Sequence, residues 1–302
     1  MKIFKKIVLA FLSVVVISTM GGYFYFDQKF TPEKNYLTLQ NESGKIPIKW
    51  LGADKNVMLL PIRFSDSTTY YMQFDTGSPN TVFYSNSIKA IKEISIKNDR
   101  AKSSFNIGNI KISSDQFIII DNGKQNETDS LKIIGTIGAD ILEDRKTLIN
   151  YNENYVVFNI SKEPMNFKNN LTDFKFKKRK IILEAFLKEK KEKFLYDSGT
   201  SAYELLTNKE VWTELKSSYS NIVEKKERSW DNILTTYTAS SKNSILFKNS
   251  KIPLNEVTYV EGFSKSQYLM MKFSGMTGML GNKIFIKNSI YLDCRKQKIA
   301  IQ

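Results

Sequence analysis

Histidine is absent from all 302 residues, and cysteine occurs once, at Cys294. The first absence removes Ser-His and Cys-His nucleophilic catalysis and every histidine metal site. The second removes any intramolecular disulfide and any cysteine cluster for zinc. Cys294 lies in an apolar-flanked run near the C-terminus and reads as a packed thiol. Negative charge is also scarce: 31 Asp and Glu stand against 45 Lys and Arg, a formal net charge of +14. What chemistry the chain performs falls to carboxylates, hydroxyls or lysines, with no metal and no cofactor expected. The composition is 41% hydrophobic and 13% aromatic, that of a folded chain rather than a disordered one. The length suffices for one large core or two smaller ones.

The basic excess raises nucleic acid as a partner and does not support it. The densest runs, KFKKRK (175–180) and KEKKEK (188–193), belong to no nucleic-acid-binding motif. They read as a solvated basic surface, with attraction to an anionic envelope as a lesser role.

Lys2, Lys5 and Lys6 precede an uncharged run from Ile7 to Phe26. As a helix those 20 residues would extend about 30 Å, the thickness of a bilayer's hydrocarbon core. The lysines favour an N-inside orientation, which puts the rest of the chain outside the cytoplasm. The sequence-based division is therefore a cytoplasmic N-terminus (1–6), a transmembrane anchor or signal peptide (7–26), a tether (27–50) and a globular remainder. A cleaved signal peptide would make the protein secreted; its only small-residue cleavage pattern, Thr19-Met20-Gly21, is poor. No cysteine follows the apolar run, so a lipoprotein is not expected, and no long pro-segment is evident.

The globular part repeats itself. One apolar run ends in Asp75-Thr76-Gly77-Ser78, and a second ends in Asp197-Ser198-Gly199-Thr200. Before each lies a β-hairpin pattern: alternating apolar residues around SDSTT in one copy and KEKKE in the other. After each comes an apolar-Gly turn and a closing hairpin, IGADILEDRKTLINYNENYVVF from Ile137 and LGNKIFIKNSIYLDCRKQKIAI from Leu280. With Gly138 placed on Gly281, these two blocks align without gaps. The period exceeds 100 residues and so marks duplicated lobes rather than a solenoid. Lobe one is set at 51–161, a polar connector at 162–180 and lobe two at 181–302. Short strands separated by polar turns predict a mainly β fold, with one helix over 207–222 opened by a Thr207/Glu210 capping box.

The paired Asp-[Ser/Thr]-Gly-[Ser/Thr] motifs, each followed by an apolar-Gly turn and a terminal hairpin, resemble the pepsin-like two-lobed aspartic peptidases. The resemblance covers most of residues 55–302. It implies duplicated β lobes with a central cleft, with Asp75 and Asp197 facing one another as the catalytic pair. Thr76 and Ser198 would lock the two loops to the opposite lobe, and Ser78 and Thr200 would hydrogen-bond the outer carboxylate oxygens. Gly77 and Gly199 would admit close main-chain approach, and Gly138 and Gly281 would pack beneath the loops. Two carboxylates about 3 Å apart cannot both ionise, so they share a proton. One then takes a proton from water while the other donates to the carbonyl oxygen of the amide. The resemblance thus implies a monomeric aspartic endopeptidase acting on polypeptides.

The chain departs from the family at several points. Gly138 follows Asp75 by 63 positions (138 − 75), against 84 (281 − 197) in the second copy, so lobe one is compact, as in the retroviral type. The expected flap, with its tip near Asn98–Arg100, lacks the family's tyrosine: none occurs between Ser85 and Tyr151. The family's disulfides are absent. A second reading therefore stands beside the enzyme, a two-lobed peptide-binding module at the cell envelope without catalytic power. Asp140 has Lys283 as its counterpart and reads as structural; Trp212 and Trp230 read as core or surface anchors.

Overall fold

A computed structural model describes residues 12, 16, 18–22, 24, 25, 27–65, 68–123, 131–229, 232–248, 250–262 and 274–302. The chain divides into two compact units, Met1–Lys34 and Asn35–Gln302. In the first, the described residues from Leu12 to Lys29 are helical, and Leu12, Val16, Met20, Phe24 and Tyr25 expose their side chains. Much of the expected membrane span, and all of 1–6, lies outside the described residues. Among the described residues no helix is long and apolar enough to cross a membrane.

The second unit is mainly β and two-lobed. Its three sheets follow from the duplicated sequence. In lobe one, strand Thr69–Phe74, which leads into Asp75, runs parallel to Ile133–Ile137. That strand pairs antiparallel with Val82–Tyr84, which runs parallel to Ile110–Ile120. Lobe two reproduces the order: Lys190–Tyr196, leading into Asp197, is parallel to Gly278–Leu280. That strand is antiparallel to Leu205–Thr207, itself parallel to Ser250–Glu261. Strands such as Lys180–Leu187 alternate exposed and buried residues in period two, turning their apolar set inward. Aromatic side chains fill lobe one, where Phe83, Phe105 and Phe117 pack edge-on or tilted. One contiguous apolar core extends through both lobes and includes Cys294.

The third sheet joins the halves. The two closing hairpins, Lys146–Asn150 with Tyr155–Phe158 and Ser289–Asp293 with Lys298–Ile301, pair through their first strands. The register there places Leu148 opposite Tyr291. The offset between those residues is 143 (291 − 148), the same offset that carries Gly138 to Gly281 (281 − 138). A residue paired with its own counterpart marks a local twofold axis, so the sheet register itself records the duplication.

The same sheet revises the boundaries drawn from sequence. Ile46–Pro47, expected within a tether, edges the sheet beside Tyr155–Phe158. Thr172–Asp173, expected within a connector, edges it beside Lys298–Ile301. Ile46 meets Val156 and Thr172 meets Ile299, which are equivalent places in the two copies. The tether and the connector are thus partly corresponding pieces of the repeated unit. Their polar, short-stranded sequences hide this, because a two-residue edge strand carries almost no alternation signal.

Lobe two owes its extra length to a helix and a long hairpin. The helix spans Lys209–Leu215 and is capped by Asn208, whose side chain accepts from the Val211 N–H. Thr207 belongs instead to a strand, where it is buried, so the cap lies one residue beyond the sequence-based placement and the helix is shorter. The Val223–Ser229/Asn232–Phe247 hairpin stands where lobe one has only Ser95–Lys97/Arg100–Ile107. The lobe-one hairpin turns at Asn98, which has φ of 57°.

Candidate active site

Each Asp loop leaves the C-terminal end of an inner strand and is fixed from below. Asp75 donates its N–H to the Ile137 carbonyl at 3.0 Å, and Asp197 donates its own to Leu280 at 2.9 Å. The following glycines, Gly138 and Gly281, have nearly identical backbones (φ −87°, ψ −177° and −178°) and open short 3-10 turns. A Cβ on Gly281 would lie 2.1 Å from the Thr200 carbonyl oxygen, and one on Gly138 2.4 Å from the Asn80 main chain. Both glycines therefore pack directly beneath the Asp loops.

Four hydrogen bonds tie the loops across the lobes. Thr76 N–H donates to Ser198 Oγ and Ser198 N–H to Thr76 Oγ1, both at 2.9 Å. Thr76 Oγ1 donates to the Tyr196 carbonyl at 3.2 Å, and Ser198 Oγ to the Phe74 carbonyl at 2.9 Å. Thr76 and Ser198 are buried, at 0% and 1% exposure. A broken bond here leaves a buried polar group without water to replace its partner.

The two carboxyl groups meet in the middle, each against the glycine of the opposite motif. A Cβ on Gly77 would stand 2.5 Å from Asp197 Oδ1, and one on Gly199 2.6 Å from Asp75 Oδ1. Glycine is thus required in each motif because the opposite carboxylate occupies the space of a side chain. Gly77 N–H donates to Asp75 Oδ1 at 2.8 Å and Ser78 N–H to the same oxygen at 3.2 Å. Gly199 N–H donates to Asp197 Oδ1 at 2.8 Å. Ser78 and Thr200 do not place their hydroxyls on the carboxylates. Ser78 Oγ donates to the Asn80 carbonyl and Thr200 Oγ1 to the Asp197 main-chain carbonyl, each at 2.9 Å. Main-chain N–H groups hold the carboxylates here, and the hydroxyls close the turns.

Burial is the largest influence on both acids and raises both above the ordinary carboxylate range. On Asp75 it is opposed by the Gly77 and Ser78 N–H groups. On Asp197 the nearby charge of Asp75 adds to it and pushes the carboxyl up to about 7. The arrangement therefore favours a retained proton on one of two half-buried, closely apposed carboxyls.

Several residues that shape the site carry no motif. Tyr84, half-buried, bonds Thr136 Oγ1 at 2.7 Å, and its phenol is raised by burial, with a smaller contribution from the charge of Asp75. It lies one residue ahead of the tyrosine-free stretch that begins at Ser85, and only the fold shows its proximity to Asp75. Asp140 is buried and accepts from Thr81 N–H at 2.6 Å and Thr81 Oγ1 at 2.7 Å, bracing the lobe-one loop from below. Arg179 is 4% exposed; it donates to Asn80 Oδ1, to the Pro79 carbonyl and to Glu143, fastening the same loop to the connector. Among the described residues no group of three or more Cys, Asp or Glu side chains is placed to hold a metal ion.

The chain matches no described family and no curated protein. Among solved structures it is similar to the basic 7S globulin of soybean, at 8% identity, over 89% of this chain and 95% of that one, with a TM-score of 0.47. That likeness is too distant to carry an argument about family or activity.

Proposed function

We propose that the protein is an aspartic endopeptidase of the pepsin-like kind, held at the membrane by its N-terminal apolar segment with the two lobes outside the cytoplasm. The observation that supports the activity is the close approach of Asp75 and Asp197, half-buried at the junction of the lobes and each packed against the other's glycine. In this reading the ionised carboxyl removes a proton from a water between them, and the water oxygen attacks the peptide carbonyl carbon. The protonated carboxyl gives its proton to the carbonyl oxygen. The tetrahedral diol then collapses: one diol hydroxyl returns its proton to the ionised carboxyl, the C–N bond breaks, the nitrogen leaves with the proton held by the other carboxyl, and a carboxylic acid remains with the pair again singly protonated. No covalent enzyme intermediate forms.

The test is a peptide-library digest by the full-length protein in detergent, in ¹⁸O-labelled water, from about pH 3 to pH 8, the span over which such a pair loses its protons. The expected result is cleavage with one labelled oxygen in each new carboxyl terminus, abolished by Asp75→Asn and separately by Asp197→Asn. Peptides left intact at every pH, yet still bound, would replace the enzyme with the binding module.

A further inference from the structure

The two halves of the site differ beneath their loops. The offset that carries Gly138 to Gly281 also carries Ala139 to Asn282 and Tyr151 to Cys294. Phe74, just before Asp75, corresponds to Tyr196, just before Asp197. Tyr196, Asn282 and Tyr151 are all buried, at 0%, 0% and 1% exposure. Their counterparts cannot repeat what they do, because Phe74 and Ala139 carry no polar side-chain atom and Cys294 offers only a weak thiol.

The Asn282 amide is fully engaged. Its Oδ1 accepts from the Tyr151 hydroxyl at 2.5 Å and lies 3.0 Å from the Tyr196 hydroxyl, and the two phenols also touch each other. Its Nδ2 donates to the Ser198 carbonyl at 3.2 Å and to Ser201 Oγ at 3.0 Å. That carbonyl belongs to the peptide whose N–H is that of Gly199, and Gly199 N–H donates to Asp197 Oδ1. Phenols, amide, peptide and carboxylate thus form one directed chain in which each hydrogen bond polarises the next. Tyr196 also belongs to the cross-lobe grip through its main chain, because its carbonyl accepts from Thr76 Oγ1.

We propose that Asn282, held by Tyr151 and Tyr196, is a positioning residue for the carboxylate pair. By gripping the Ser198 carbonyl it aims the Gly199 N–H at Asp197, and so governs the pH at which the pair gives up its shared proton. The inference rests on reading Asp75 and Asp197 as a proton-sharing pair. Among the described residues, the titratable groups about the pair besides each other are Tyr84 from strand Val82–Tyr84, Tyr196 from strand Lys190–Tyr196, Tyr151 beyond strand Lys146–Asn150, and Asp140 beneath the lobe-one loop. Burial raises all three phenols, so they stay neutral where the pair titrates. N–H donation to the carboxylate is then the adjustable influence on Asp197.

The test is a ¹³C carboxyl NMR titration of full-length protein labelled at aspartate, from about pH 3 to pH 9, which brackets ordinary and raised carboxyls. Asp75 and Asp197 are assigned by their single Asn variants. Asn282→Ala installs the lobe-one residue and weakens the donor to Asp197. It should move the upper step of the pair upward by about half a pH unit or more, roughly a threefold tighter hold on the proton. Tyr151→Phe should move it in the same direction by less, and the double variant should fall short of the sum, since both act through one amide. Thermal melts confirm that each variant is folded, and Tyr151→Phe carries the test alone where Asn282→Ala does not fold. An upper step unmoved in the folded variants would overturn the proposal, as would two independent, ordinary carboxyls in the wild type. The titration reads no catalysis, so a shifted step in a protein that cleaves no peptide would remove the peptidase reading and leave this one standing.

Discussion

A methyl group on Gly77 would stand 2.5 Å from Asp197 Oδ1, and one on Gly199 2.6 Å from Asp75 Oδ1. Neither carboxyl has room to withdraw, because each is held by the N–H groups of its own loop. Gly77→Ala and Gly199→Ala should each separate the pair and lower peptide cleavage by about a hundredfold or more, the cost of misplacing a reacting group. Overpacking at the same point should reduce stability by about 1–3 kcal/mol in urea unfolding. Cleavage within a few-fold of wild type in either variant would contradict the close contact. At this scale the Asp, the following hydroxyl residue and the glycine were all legible in sequence, because the motif occurs twice. The destinations of the Ser78 and Thr200 hydroxyls were not. A serine oxygen can close its own turn or reach a neighbour, and residue type does not decide between the two. Asn282, Tyr151 and Tyr196 were invisible for a related reason: their partners lie 86 and 131 positions away, on separate elements.

The lobe-one loop is braced by a buried carboxyl, and that brace is sensitive to pH. Burial raises Asp140 to about 6 from an ordinary value of 3.8, against the Thr81 donors and the charge of Arg179. A carboxyl whose folded value lies above its unfolded one favours the fold below the unfolded value and loses that contribution as pH rises through the folded value. The window is therefore pH 3.8 to about 6, and the loss is about 3 kcal/mol. Asp140→Asn keeps an acceptor for the Thr81 N–H and removes the charge. Its stability relative to wild type, read by urea unfolding at intervals of pH, should rise across that window and level off above it. A constant difference would show that Asp140 does not titrate there. The reading of Asp140 as structural came from its Lys283 counterpart, and the hydrogen bonds to Thr81 give that reading its mechanism. The helix cap was misplaced by one residue because Thr207 and Asn208 are both good N-caps, and only the strand pairing of Thr207 with Gly278 selects Asn208.

At the scale of the whole molecule, the halves are inseparable because the six-stranded sheet draws strands from both. Trp50 lies in the lobe-one half and Trp212 in lobe two. Urea transitions followed by fluorescence, with Trp230 replaced by phenylalanine throughout and Trp50 or Trp212 replaced in turn, should therefore coincide. Two separated transitions would mean that the lobes fold independently. The duplication was legible because copies of a long block align without gaps. The unit's true start was not, since its first strands are two residues long, too short to show an alternation.

The account depends on the carboxyls acting on one another through that shared architecture, and the most direct measurement is the titration of Asp197 before and after Asp75→Asn. Burial and then the charge of Asp75 hold Asp197 near 7. Removing the charge should lower its midpoint toward, but not to, the ordinary 3.8, because burial remains. A midpoint that stays in place when Asp75 is replaced would show that the two acids do not share a proton.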